Sequence, residues 1–215
     1  MLSLVQMRRL SLSAFAVLLF SCTPAAPPAR SVTKSVSVEK NGSSYKVKLE
    51  YPVVAEASEA LNKQIAEAAL IHLEQVEDDP IPLEEYVKNL AAESAGQQWV
   101  FESVMTVAHQ TPAILTTLCK TYTNTGAAHP NVFQHYEVYD LKTGKRLELS
   151  DLLETGKLDA IRAIANVTGD FPNEPEIGLL KDHAVYRADA DARMVVDAEI
   201  PYAKLKGIIK SQFLP

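Results

Sequence analysis

Three side chains within one short stretch, His129, His135 and Glu137, are of the types that hold a metal or move protons. Residues two apart on a strand share a face, so His135 and Glu137 can present an imidazole and a carboxylate side by side. With His129 added, they would form the ligand set of a metal-assisted hydrolase. Such a centre also needs partners that fix each ligand, and the stretch supplies none. The simpler reading sends His135 and Glu137 alternately to solvent while Tyr136 and Val138 pack inward. It is the favoured one, and neither a metal nor another cofactor is expected.

His129 follows Gly126-Ala127-Ala128 and precedes Pro130, which biases it to extended backbone. Its ring either bonds the loop backbone or faces a ligand, with Asn131 and Tyr122 as the neighbours that would share that surface. His72 borders an apolar helical stripe and reads as a satisfied boundary histidine. Asp189-Ala190-Asp191 begins like a calcium loop, but Arg193 stands where an oxygen ligand is wanted, so it reads as a solvated turn. The chain has no G-x-S-x-G, no phosphate-binding glycine loop, no H-E-x-x-H and no C-x-x-C.

These groups must be positioned by a chain of 215 residues that is 47% hydrophobic, enough for one sizeable domain or two small intertwined ones. Its formal charge is −6. The first 21 residues hold Arg8 and Arg9 and no acids, so without them 19 basic stand against 27 acidic side chains, a charge of −8. That excludes a basic nucleic-acid surface and suits a cationic protein partner.

Arg8 and Arg9 precede an uncharged stretch from Leu10 to Phe20, too short for a mature membrane span and suited to a signal peptide. With Leu19 and Ser21 ahead of Cys22, residues 1–21 resemble a bacterial lipoprotein signal. The resemblance implies that Cys22 becomes the first residue and carries lipid, anchoring the chain to membrane. Thr23 in place of aspartate favours, by analogy with enteric sorting, the periplasmic face of the outer membrane. Residues 22–30, rich in Pro and Ala, form a tether. Cys119 lies in an apolar run and reads as a small core side chain.

Alternation and turn chemistry predict a hairpin, Ser31–Lys40 and Ser44–Val54, closed at Asn41-Gly42. Helices are expected at Ser58–Glu77, with Ser58 as cap, and at Leu83–Ala95. Two antiparallel strands follow, Gln97–Gln110 and Ala113–Asn124, with Trp99 and Met105 in the core. Then come the strand Val132–Asp140, a turn at Thr143-Gly144, a return at Leu147–Leu149, a helical turn capped by Ser150 and a helix over Lys157–Val167. Gly169–Gly178 reads as loop, Ala184–Arg187 and Arg193–Ile200 as short strands, and Tyr202–Ile209 as a final helix behind Pro201. The fold class is α+β, mainly antiparallel sheets with packed helices. Two intertwined subdomains are expected, residues 31–120 and 121–215, meeting near residues 111 to 125.

Thr125-Gly126-Ala127-Ala128-His129-Pro130-Asn131, Tyr139-Asp140-Leu141-Lys142-Thr143-Gly144-Lys145-Arg146-Leu147 and Leu149-Ser150-Asp151-Leu152-Leu153 together resemble the RsiV-like domain family. Glu199-Ile200-Pro201-Tyr202 followed by Leu205 resembles that family's C-terminal strand and helix. The segment before Thr121 is similar to the PdaC-like companion domain usually found upstream. The family includes the ectodomain of a lysozyme-sensing anti-sigma factor and the accessory, non-catalytic region of a peptidoglycan deacetylase. The resemblance implies a cell-envelope binding module with no active site, whose partner is a lysozyme-like protein or peptidoglycan. The competing expectations are the metal-assisted hydrolase and a purely structural envelope lipoprotein.

Overall fold

Asn41 and Gly42 turn the chain between β1 (Val32–Asn41) and β2 (Tyr45–Val54), and the Gly42 N–H closes the turn on the Tyr45 carbonyl at 2.9 Å. The computed structural model describes residues 32–55, 57–74, 81–94, 97–167, 175–191 and 194–215. The expected signal peptide, Cys22 and the expected tether lie outside these residues.

β1 and β2 begin a six-stranded sheet of order β1-β2-β3-β4-β5-β6, with β3 at Trp99–Gln110, β4 at Ile114–Asn124, β5 at Asn131–Asp140 and β6 at Arg146–Leu147. All neighbours are antiparallel except β2 and β3. A parallel pair needs a long crossover, and here it contains the helices α1 (Glu59–Glu74) and α2 (Leu83–Glu93). Ser58 caps α1 as its sequence position predicts, its Oγ accepting the Leu61 N–H at 3.2 Å. Leu61, Ile65, Ala69 and Leu73 then fall on one buried face. They pack against Val47, Leu49, Met105, Cys119 and Tyr139 on the near side of the sheet.

The far side of the sheet carries a second core. Ile114 and Val138 meet a three-stranded antiparallel sheet, β7 (Glu176–Leu179), β8 (His183–Asp191) and β9 (Met194–Pro201), together with α4 (Leu158–Ala165). The Thr116 hydroxyl crosses between the sheets and donates to the Leu179 carbonyl at 2.7 Å. Gly178 is required where the sheets close. A Cβ there would come within 2.5 Å of the Tyr136 ring.

The architecture is therefore mixed α+β and mostly sheet. The boundary at residues 120 and 121 falls inside β4, and the two cores lie on opposite faces of the six-stranded sheet. Among the described residues no helix is long and apolar enough to cross a membrane.

Several local expectations change. Pro175 to Gly178 is not all loop, because β7 starts at Glu176, and a four-residue strand with a central glycine gives little periodic signal. Asp189 and Asp191 belong to the end of β8, paired with Val195 and Met194, rather than to a solvated turn. The helical turn α3 (Leu149–Leu152) is capped by Glu148 rather than Ser150, with the Glu148 N–H bonded to Asp151 Oδ2 at 3.2 Å. The final helix stops at Leu205 as α5, and Gly207 then turns the chain with φ +73.

Candidate functional site

Strand β5 places His135, Glu137 and Tyr139 on the side of the sheet that faces α1, in register with Cys119, Thr117 and Leu115 of β4. Tyr136 and Val138 face the second sheet. Both faces of the strand are therefore covered. This corrects the expectation that His135 and Glu137 point to solvent: Glu137 is only 3% exposed, and His135 is half-buried. Alternation separates core from solvent only where one face is wet, and here neither is.

A carboxylate so deeply buried needs partners. Glu137 has two. Its Oε1 lies 2.8 Å from His72 Nε2 on α1, and its Oε2 receives Nε of Arg146 from β6. His135 pairs instead with Glu176 of β7, Nδ1 to Oε1 at 2.7 Å. The second Glu176 oxygen accepts the Tyr136 N–H at 3.0 Å. The two imidazoles stack, with centroids 4.3 Å apart and planes within 10°. One connected polar cluster thus ties helix, large sheet and small sheet together.

The electrostatics follow from these contacts. Burial raises the Glu176 carboxyl, but the His135 hydrogen bond and charge and the Tyr136 N–H outweigh it, leaving the carboxyl below its ordinary value. Burial also works against the Arg146 cation, and the Glu137 charge more than offsets it. Nearby, burial pushes the Cys119 thiol up to about 12, while Ser103 lies 3.2 Å from its sulfur. Such a thiol is a core side chain, as expected, and not a nucleophile.

His129 does not join this cluster. It sits in the exposed tip between β4 and β5, and the extended strand from Asn131 to His135 separates them by about 13 Å at roughly 3.3 Å per residue. No group of three or more His, Cys, Asp or Glu side chains is arranged to hold a metal among the described residues. The tip itself is open: residues 125–132 are all exposed, and Val132 is 62% exposed. Gly126 takes φ +81, and its N–H bonds Asn124 Oδ1 at 2.9 Å, so the tip has a defined entry.

Tyr122, half-buried, lies directly across the ladder from Val132 on one side and Glu102 on the other. Asn131 pairs with Thr123 and is exposed. The residues expected to share a ligand-facing surface therefore lie at one end of the sheet. Tyr122, paired with Val132, and Asn131, paired with Thr123, nevertheless point to opposite faces of it, so Tyr122 does not share the surface of Asn131. Lys46 and Glu102 lie beyond them in a 2.9 Å ion pair. Sequence reasoning missed the roles of His72, Arg146 and Glu176. The partners of His72 and Glu176 lie far away in the chain, and Arg146 follows a turn that looks like ordinary hairpin chemistry.

Residues 38–132 match the family described as Deacetylase PdaC. No curated protein matches the chain. Among solved structures, a DUF3298 family protein from Pseudomonas aeruginosa PAO1 superposes with a TM-score of 0.66 at 18% identity, over 88% of this chain and 98% of that one. A DUF3298 family member from Bacteroides fragilis NCTC 9343 superposes with a TM-score of 0.54 at 15% identity, over 83% and 94% of the two chains. At these identities the likeness is one of fold.

Proposed function

We propose that this protein is a non-catalytic binding module of the bacterial cell envelope, held to membrane through lipid on Cys22, whose ligand is a lysozyme-like protein or peptidoglycan. The observation that carries the reading is the division of polar groups between interior and tip. His72, His135, Glu137 and Glu176 are paired with one another's elements in the interior, which suits a scaffold. The exposed groups at the β4–β5 tip, His129 and Asn131, offer the ring and amide contacts of a binding surface. The match over residues 38–132 supports the PdaC-like part of this reading, and the resemblance of the segment that follows supports the binding class. The excess of acidic side chains favours a basic lysozyme-type partner through long-range attraction.

The test is retention of the full-length protein, in detergent at low salt, on immobilised lysozyme and on purified sacculi. Retention on either supports the reading. Absence of retention on both, or release of acetate from sacculi, contradicts it. The anchor is tested separately: fatty-acid labelling is expected to vanish in Cys22→Ala, and labelling that persists there overturns that part.

A further inference from the structure

Strand β6 is only two residues long and pairs with Val138 and Tyr139 alone. Beyond it no strand of the described residues pairs with the β5 edge, and a cleft of about 150 Å³ opens between β6 and the start of β7. Its apolar wall includes Tyr136, Leu147 and Ile177, and its polar groups include Arg146, Glu148 and Glu176 beside Glu137.

Arg146 is prepared for a ligand in a particular way. Its Nε is committed to buried Glu137, which is itself held by His72. The guanidinium, with its two terminal nitrogens, is thereby oriented at the wall of the cleft. The side chain is 44% exposed, so those donors are reachable from the cleft. Two parallel N–H groups on a fixed plane match the two oxygens of a carboxylate.

The same cleft opposes a simple anion. Glu148 is exposed, and Glu176 keeps 31% exposure. Glu176 has given one oxygen to His135 and the other to the Tyr136 N–H, which leaves a lone pair on each for another donor. A bare carboxylate would face both acids, and a bare amine would face Arg146. A ligand carrying both signs compensates both. Leu147 and Ile177 then offer contact for a small apolar side chain.

We propose that this cleft binds a small zwitterion of the amino-acid class, its carboxylate on Arg146 and its ammonium group on Glu148 and Glu176. The site lies apart from the β4–β5 tip and does not depend on the envelope-binding reading. A failure of lysozyme and sacculi to bind leaves it untouched.

The experiment is calorimetric titration of the full-length protein in detergent with alanine, propionate and ethylamine. Alanine is expected to bind saturably and at least about tenfold more tightly than either single-charge analogue, a difference of ~1.4 kcal/mol. Arg146→Lys keeps the charge but loses the fork and is expected to weaken alanine by about tenfold or more. Glu148→Gln, at an exposed position, is expected to weaken alanine while leaving propionate equal or tighter. No saturation by alanine, equal affinity for alanine and propionate, or an unchanged alanine affinity in Glu148→Gln would each overturn the proposal.

Discussion

The imidazole of His72 lies flat on that of His135, at 4.3 Å between centroids, although one belongs to a helix of the crossover and the other to the fifth strand of the sheet. Each ring is paired with a different glutamate, and Arg146 completes the cluster. The contact joins the helix that covers the large sheet to the sheet itself, and the His135–Glu176 pair carries the connection on to the small sheet. Its chemistry is that of a fastening between layers.

Replacing Glu137 by Gln removes the carboxylate that contacts both His72 and Arg146. Breaking a buried pair from one side costs about 3 kcal/mol, and a glutamine cannot compensate the guanidinium. Chemical denaturation should show a loss of roughly that size with an unchanged slope. A midpoint equal to that of the unmodified protein would contradict the role assigned to Glu137.

Acid should weaken the fold through Glu176. Its folded carboxyl sits below the ordinary value of 4.5, so its contribution is present above 4.5 and is lost as pH falls through the lower folded value. In Glu176→Gln that contribution is absent at every pH. The variant should be less stable than the unmodified protein at neutral pH, and the two curves should converge as pH drops below 4.5. Parallel curves over that range would rule out the linkage.

Closure of the two sheets depends on the missing side chain at Gly178. A methyl group there would lie 2.5 Å from the Tyr136 ring, which is itself held under the Arg187 guanidinium at 5.6 Å. Gly178→Ala should therefore cost about 1–3 kcal/mol by overpacking. Thermal unfolding that matches the unmodified protein would show that the ring moves aside freely.

Much of the frame was legible because it rests on local signals. Asn41-Gly42, Ser58 and Thr143-Gly144 each specify a turn or cap by their own chemistry, and the structure places each as expected. The apolar spacing from Leu61 to Leu73 likewise marks the buried face of α1. The parallel pairing of β2 with β3 was not legible, since strand direction across a helical crossover leaves no trace in periodicity. Leu115, Thr117 and Cys119 are as buried as Ile114 and Thr116, so β4 has no solvent side along its first half. His72 was correctly read as a satisfied boundary residue, but nothing near it in sequence names Glu137 as the group that satisfies it. Candidate ligands at the tip could be read from exposed-loop chemistry, whereas the cleft beside Arg146 arises only where a short strand ends against a second sheet.

The β4–β5 tip is the surface on which the binding account depends. The most direct measurement compares the affinity of full-length protein and of a His129→Ala/Asn131→Ala double variant for whichever of lysozyme or sacculi retains it. Both positions are exposed, so thermal unfolding should not change. The account predicts an affinity loss of about tenfold or more, the ~1.4 kcal/mol expected when contacting side chains are truncated. Equal affinity of the two proteins, with both folded, would contradict it.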